Sequence, residues 1–239
     1  MWLNDLDVAS ISDYNNAKGR DGGIGRRSGL KIRRSKILVG SSPSPGTKRK
    51  DMPWLIIFLG YILGSIPTAY IAGRLLKGKD IRKLGDGNMG ARNAYHELGH
   101  KTGISIFFID ATKGALPILI AQAVSIPQIA IFSAGAAAVI GHNWPVFLGF
   151  RGGRGESTAI GVLTTLMTQP MLILAAPTLA VLFIKKNVTL ASVFLFVPLP
   201  LVCWLMGFPG ALISYSMGLP CLVGFTHFLR TRRTAVRHA

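Results

Sequence analysis

Apolar residues in this chain come in long blocks separated by short polar segments, and the pattern begins near residue 54. Seven blocks follow one another, at residues 54–71, 103–124, 127–147, 157–168, 171–184, 188–206 and 210–228. A helix needs roughly 20 apolar residues to cross a bilayer, so we expect some shorter blocks to be tilted, half-buried or fused with a neighbour. The pattern predicts an all-α polytopic membrane protein with about seven transmembrane helices.

The composition supports this class of protein. Hydrophobic residues make up 49% of the chain and charged residues 15%, which is too apolar for a soluble domain of 239 residues. The formal net charge is +17, yet beyond residue 51 the basic residues fall mainly in the connections between apolar blocks. Because the positive-inside rule accounts for that distribution, we expect no nucleic-acid partner.

The basic connections also predict an orientation, because they alternate with connections that lack Lys and Arg. The basic ones are residues 74–101, 151–154, 185–186 and 230–237, and the others are residues 125–126, 169–170 and 207–209. If the basic connections face the cytoplasm, the chain is a multi-pass protein of the cell membrane with its N-terminus outside and its C-terminus inside.

Residues 1–51 differ from the rest of the chain. They contain eleven Lys or Arg and five Asp or Glu, and they lack an apolar core and a signal peptide's short hydrophobic centre. We interpret this segment as either a disordered tail or an upstream extension that is not normally translated. Residues 52–239 are expected to form a single membrane domain.

A basic, glycine-rich turn lies between two apolar blocks, at residues 151–158 (Arg-Gly-Gly-Arg-Gly-Glu-Ser-Thr). Consecutive glycines allow backbone N–H groups to converge on an anion, and arginines add bidentate charge, so the turn is a candidate phosphate cradle. Arg151 and Arg154 could instead anchor the protein at lipid headgroups, although that role would not need the glycines. His142, just before the turn, could supply a proton or serve a structural role.

Two further polar clusters fall near the same predicted face. Residues 84–99 form a glycine-containing loop followed by a helical segment that places Arg92 and His96 one turn apart, either as an anion-facing edge or as a simple connection. Asp110 and Lys113 lie inside an apolar block, where ionisable groups either pair with each other or contact a substrate. No metal site or cofactor is indicated.

Four ordered segments resemble the acyl-phosphate-dependent glycerol-3-phosphate acyltransferase family of bacterial inner membranes. They are residues 64–70 (Gly-Ser-Ile-Pro-Thr-Ala-Tyr), the loop at 85–93, Asp110 with Lys113-Gly114, and residues 141–155. The resemblance implies a compact seven-helix enzyme of phospholipid biosynthesis. Such an enzyme would transfer an acyl group from acyl phosphate to the 1-hydroxyl of glycerol 3-phosphate, giving lysophosphatidic acid and phosphate.

The resemblance also implies site residues and partners. We expect catalytic contributions from Asp86, Asn88, Asn93, His142 and Arg154, and phosphate binding by Arg92, His96, Lys113, Arg151, Gly152, Gly153, Arg154, Gly155 and His227. The expected partners are acyl phosphate, glycerol 3-phosphate and membrane lipid, and we expect a monomer.

The chain departs from the family pattern at several of these positions. Asp86 stands in place of a serine, His96 in place of an arginine and Arg92 in place of a threonine. Arg151 and Arg154 replace lysines, Glu156 replaces a valine, and Arg230 stands where an asparagine is expected after His227. Two alternatives therefore stay open: the same fold acting on another phosphorylated acceptor, or a small anion or lipid transporter without acyltransferase activity.

Overall fold

A computed structural model describes residues 53–238, with side chains as far as residue 231. The predicted N-terminal segment lies outside these residues. The described residues form ten α-helices and no strand: α1 (Pro53–Ser65), α2 (Thr68–Lys77), α3 (Ala91–Glu97), α4 (His100–Ala123), α5 (Gln128–Asn143), α6 (Glu156–Leu166), α7 (Thr168–Lys185), α8 (Val188–Phe196), α9 (Leu199–Leu205) and α10 (Gly210–His238). The predicted all-α membrane fold is confirmed.

Six segments in the described part of the chain are long and apolar enough to cross a membrane. They are Pro53–Lys77, His100–Ala123, Gln128–Leu148, Thr168–Lys185, Val188–Leu205 and Gly210–Thr231. The remaining predicted block forms α6, whose 11 residues extend only about 16 Å. Seven full spans therefore stay a prediction, since α6 alone is too short to cross a bilayer.

Contacts between side chains show how the chain runs through the bundle. Glu156, at the start of α6, accepts a hydrogen bond from Ser192 in the middle of α8. At the other end of α6, the sulfur of Met167 lies 3.7 Å from the sulfur of Cys203 in α9. The helix α6 thus runs away from the end of the bundle that carries the glycine-rich turn, and α7 returns to it.

Small residues allow the helices of the bundle to pack with their backbones in contact. A Cβ atom on Gly60 or Gly64 of α1 would overlap a carbonyl oxygen of α5, at Ala134 or Ala138 respectively. In the same way, Gly161 of α6 lies directly against the carbonyl group of Ala111 in α4. Close approach at small residues is a main source of helix association where lipid and core are equally apolar.

Replacing Gly64 with valine should therefore destabilise the protein. The new side chain would collide with the α5 backbone, and overpacking of this kind costs about 1–3 kcal/mol or more. Gly224→Val is the matched control, because Gly224 has open space where its Cβ would lie. Thermal unfolding of the detergent-purified proteins should show a lower melting temperature for Gly64→Val alone; equal melting temperatures would contradict the packing described here.

Candidate active site

A buried ion pair lies beneath the polar end of the bundle. The Lys113 ammonium is 2.7 Å from Asp110 Oδ1, one turn away on α4, and both side chains are almost completely buried. Lys113 also donates hydrogen bonds to the Ile66 carbonyl at 2.7 Å and to Thr68 Oγ1 at 2.9 Å. The Thr68 hydroxyl in turn donates to Asp110 Oδ1 at 2.6 Å. This network joins α4 to the break between α1 and α2.

The network supports the first of the two interpretations of Lys113, an ion pair with Asp110. An ammonium group has three hydrogens, and Lys113 has three protein acceptors for them. One acceptor is the Ile66 carbonyl at the interruption of the first span, which also accepts the N–H of Thr68 at 3.0 Å. Lys113 is thus part of a structural ion pair, and its expected binding of substrate phosphate stays a prediction.

His142 lies between this ion pair and the glycine-rich turn. Its Nδ1 atom is 3.9 Å from Asp110 Oδ2, and the residue is buried near the end of α5. On its other side the imidazole packs so closely on Gly153 that a Cβ there would overlap His142 Nε2. Buried in this way, His142 supports the turn from below.

The backbone of the glycine-rich turn is fastened to the end of α5. The N–H of Gly152 donates to the Asn143 carbonyl at 3.2 Å, and that of Gly153 donates to the His142 carbonyl at 2.9 Å. Both N–H groups are thus hydrogen bonded within the protein, and the expected phosphate binding by Gly152 and Gly153 stays a prediction.

Backbone donors for an anion come instead from the start of α6. Gly155, with φ at +80°, is the N-cap of α6, and its carbonyl accepts the first helical hydrogen bond, from Ala159 at 2.8 Å. The N–H groups of Glu156, Ser157 and Thr158 precede that bond, so they have no partner within the helix. Together with the positive end of the helix dipole, they favour a negatively charged group beside the turn.

Asn93 organises the glycine loop at residues 85–90. Its amide nitrogen is within hydrogen-bond distance of the carbonyls of Leu84 and Asn88, both at 3.0 Å, and its Oδ1 accepts from the Asp86 N–H at 3.3 Å. The side chain is buried. Because its amide is engaged by the loop backbone, Asn93 positions the loop, and its expected catalytic contribution stays a prediction.

Asp86 links this loop to the glycine-rich turn. One carboxylate oxygen accepts from the N–H of Asn88 at 3.0 Å, and the other is 3.2 Å from Arg154 Nη2. The Asp86 side chain is 40% exposed and that of Arg154 is 17% exposed, so the pair lies at the boundary between bundle and solvent. Asn88, beside Asp86, is buried.

Charged groups from three parts of the chain converge around this pair. Arg154 of the turn, Arg92 of α3 and Asp86 of the loop all act electrostatically on His227 of α10. Arg154 and Arg92 also act on Glu156 at the start of α6. The structure thus brings together two arginines, two acidic side chains and a histidine that are far apart in sequence.

Glu156 is accommodated among these groups in two ways. Burial raises the pKa of Glu156, although the Ser192 hydrogen bond and the two arginines oppose this shift. The raised pKa means that this buried carboxyl group ionises less readily than an exposed glutamate. The hydroxyl of Ser192 also fixes the carboxyl group against α8.

Two expected phosphate ligands lie at the margin of the cluster. His96 is exposed on α3 and packs edge-on against Tyr95, with ring centroids 5.5 Å apart. Arg151 is exposed at the start of the turn. In the part of the chain whose side chains are described, no three His, Cys, Asp or Glu residues are grouped as a metal site would require.

Sequence reasoning missed the part of α10 that holds the turn. Arg230 donates hydrogen bonds to the carbonyls of Gly152 and Asn143, the latter at 2.6 Å. One turn earlier, Thr226 Oγ1 accepts from the buried Asn143 amide at 3.0 Å. Two signals in the sequence pointed to it: the arginine at position 230 in place of the family's asparagine, and the i, i+4 spacing of Thr226 and Arg230, which puts both on one face of a helix.

Fold and site together define a polytopic membrane protein with a polar, cationic site at one end of the bundle, and comparison with known proteins gives the family. Residues 54–237 match the family model for glycerol-3-phosphate acyltransferase. The chain is 50% identical over 182 residues to glycerol-3-phosphate acyltransferase 4 of Dehalococcoides mccartyi, covering 76% of this chain and 98% of the relative. It is 38% identical to glycerol-3-phosphate acyltransferase of Geotalea daltonii, covering 75% of this chain and 92% of the relative.

Solved structures agree with this assignment. PlsY, an integral membrane glycerol 3-phosphate acyltransferase, superposes in its glycerol 3-phosphate form with a TM-score of 0.69 at 32% identity. Its lysophosphatidic acid form gives 0.65 at 31% identity, and each match covers 77% of this chain and 92% of PlsY. The chain belongs to the glycerol-3-phosphate acyltransferase family, as its sequence motifs had indicated.

The structural role of Lys113 predicts a specific pattern of stability. Lys113→Met should leave Asp110 buried without its partner and destabilise the protein by about 3–5 kcal/mol. Adding Asp110→Leu should recover much of that loss, because the double variant buries no unpaired charge. Thermal unfolding of both variants checks the prediction, and it would fail if Lys113→Met were as stable as the parent but unable to bind glycerol 3-phosphate.

Proposed function

We propose that this protein transfers a fatty acyl group from acyl phosphate to the 1-hydroxyl of glycerol 3-phosphate, producing lysophosphatidic acid and inorganic phosphate. Membership of the family and the likeness to the glycerol 3-phosphate form of PlsY support the acceptor. The acyl phosphate donor is supported by the resemblance of the glycine-containing motifs at residues 85–93 and 141–155 to the acyl-phosphate-dependent enzymes.

The observation that carries the proposal is the position of Arg154, which directly precedes Gly155, the N-cap of α6, and lies 3.2 Å from Asp86 of the glycine loop. Both proposed substrates bear a phosphate, and the site offers forked guanidinium donors together with the N–H groups at the beginning of a helix. Arg154 is only 17% exposed, so part of its charge is shielded from solvent and acts more strongly on a bound anion.

The chemistry needs little from the protein beyond positioning and charge neutralisation. The 1-hydroxyl oxygen bonds to the acyl carbonyl carbon, the bond from that carbon to the phosphate oxygen breaks, and phosphate leaves. The hydroxyl proton passes to the acceptor's own phosphate group. Arg154 and the α6 N–H groups stabilise negative charge on the departing phosphate, while holding the two substrates together supplies the proximity.

We assign the remaining site residues to the same reaction. Asn88 and His227 orient the acceptor, and Arg92 neutralises its phosphate. Arg151, exposed at the entrance of the turn, attracts the anionic substrates from solution.

The proposal also places the site at the cytoplasmic surface of the cell membrane. The glycine loop, the glycine-rich turn and Arg230 share one end of the bundle, and Lys185 and Lys186 are joined to it through α8. By the positive-inside rule this end is cytoplasmic. The substrates then enter from the cytoplasm, the product passes into the bilayer, and the protein acts as a monomer.

Activity of the purified protein tests both the donor and the site. Palmitoyl phosphate with glycerol 3-phosphate should give lysophosphatidic acid and phosphate, whereas palmitoyl-coenzyme A should give no product. Arg154→Ala should lower kcat/KM by about a hundredfold or more, as expected when a charge-stabilising donor is removed. Lys185→Ala is the control, because replacing this exposed lysine at the end of α7 removes one positive charge from the same end of the bundle, and the lysine contacts none of the site residues described above. Acyl transfer from palmitoyl-coenzyme A alone would refute the proposed donor.

Asp86→Asn gives a second test of the site. The amide keeps an oxygen to accept the Asn88 N–H but removes the charge that pairs with Arg154. We expect a KM for palmitoyl phosphate lowered severalfold, because phosphate no longer competes with a carboxylate for Arg154. A loss of kcat of about a hundredfold with an unchanged KM would show instead that Asp86 acts on the reacting hydroxyl.

A further inference from the structure

The guanidinium of Arg230 is hydrogen bonded both to the glycine-rich turn and to the end of α5 on which the turn is fastened. Its Nη1 donates to the Gly152 carbonyl and its Nη2 donates to the Asn143 carbonyl at 2.6 Å. The same Asn143 carbonyl accepts the N–H of Gly152 at 3.2 Å. One side chain of α10 thereby joins the end of α5 to the turn that leads to Arg154.

This arrangement requires the shape of arginine. Two carbonyl oxygens from different segments are engaged by two nitrogens of one planar group, which is the geometry that a guanidinium fork provides. A lysine ammonium carries the same charge but presents it as a point at the end of a flexible chain. Arginine at position 230 is therefore suited to fixing a backbone conformation as well as supplying charge.

The turn depends on such external support because it has few side chains of its own. Gly152 and Gly153 must be glycine, since a Cβ on either would overlap atoms of His142. Thr226, one turn before Arg230, strengthens the same attachment through its hydrogen bond with the buried amide of Asn143. Two side chains one turn apart on α10 thus hold the segment that precedes Arg154.

We propose that Arg230 is a positioning residue: it fixes the Gly152 peptide and, through it, the direction in which Arg154 presents its guanidinium to substrate phosphate. The proposal rests on the function proposed above for Arg154. It explains why an arginine stands where the family pattern expects an asparagine. Arg230 acts on catalysis through the turn, without contacting either substrate.

Arg230→Lys tests this role directly, with Arg74→Lys as a matched control at an exposed position on α2. Hydrogen exchange of residues 150–156, measured without substrate, should accelerate in Arg230→Lys and stay unchanged in the control. The kcat for transfer from palmitoyl phosphate should fall by on the order of tenfold to a hundredfold, the effect expected when catalytic groups are misplaced.

A double-variant comparison separates positioning from direct substrate contact. If Arg230 acts through Arg154, adding Arg230→Lys to Arg154→Lys should lower kcat less than threefold further. Fully multiplicative losses would show that Arg230 contacts substrate and would overturn the proposal. Unchanged hydrogen exchange in Arg230→Lys would overturn it as well. The exchange measurement needs no substrate, so it tests how the turn is held whether or not the protein is active. A parent protein that is inactive with every donor would refute the proposed function alone.

Discussion

The rest of the site depends on the ion pair between Asp110 and Lys113, which is buried within an apolar bundle. Charges in such surroundings are costly unless they are fully paired. Here the ammonium satisfies a carboxylate, a hydroxyl and the Ile66 carbonyl at the helix break. The pair thus makes an interrupted first span tolerable and fixes α4 against it, directly below the polar end of the protein.

A chain of close contacts leads from this ion pair to Arg154 and restricts the conformation of the glycine-rich turn. Asp110 lies under His142, His142 lies under Gly153, and the next residue along the chain is Arg154. From the side, Arg230 holds the preceding peptide. A phosphate entering the site would therefore meet charges whose positions are already fixed. Preorganisation of this kind lowers the activation barrier of a reaction between two bound substrates.

Much of the architecture could be predicted from the sequence, because long apolar blocks and alternating basic connections are properties of local composition. The glycine-rich turn, the glycine loop and the buried charged pair were also visible, as polar groups where apolar ones were expected. The hydrogen-bond partners of these groups could not be predicted. The same glycines fit an anion cradle and a turn fastened to a helix end, and only the fold shows that the N–H groups of Gly152 and Gly153 donate to carbonyls of α5. Asp86 and Arg154 are 68 positions apart in the sequence, and no local sequence pattern predicts that they pair.

The most direct test of the account is a high-resolution structure of the protein with a non-transferable palmitoyl phosphonate bound. We predict that the phosphonate lies against the Arg154 guanidinium and the start of α6, with the Asp86 pair opened and the Gly152 peptide still held by Arg230. A phosphonate bound elsewhere, with Arg154 still paired to Asp86, would contradict the claim that this turn is where the protein handles phosphate.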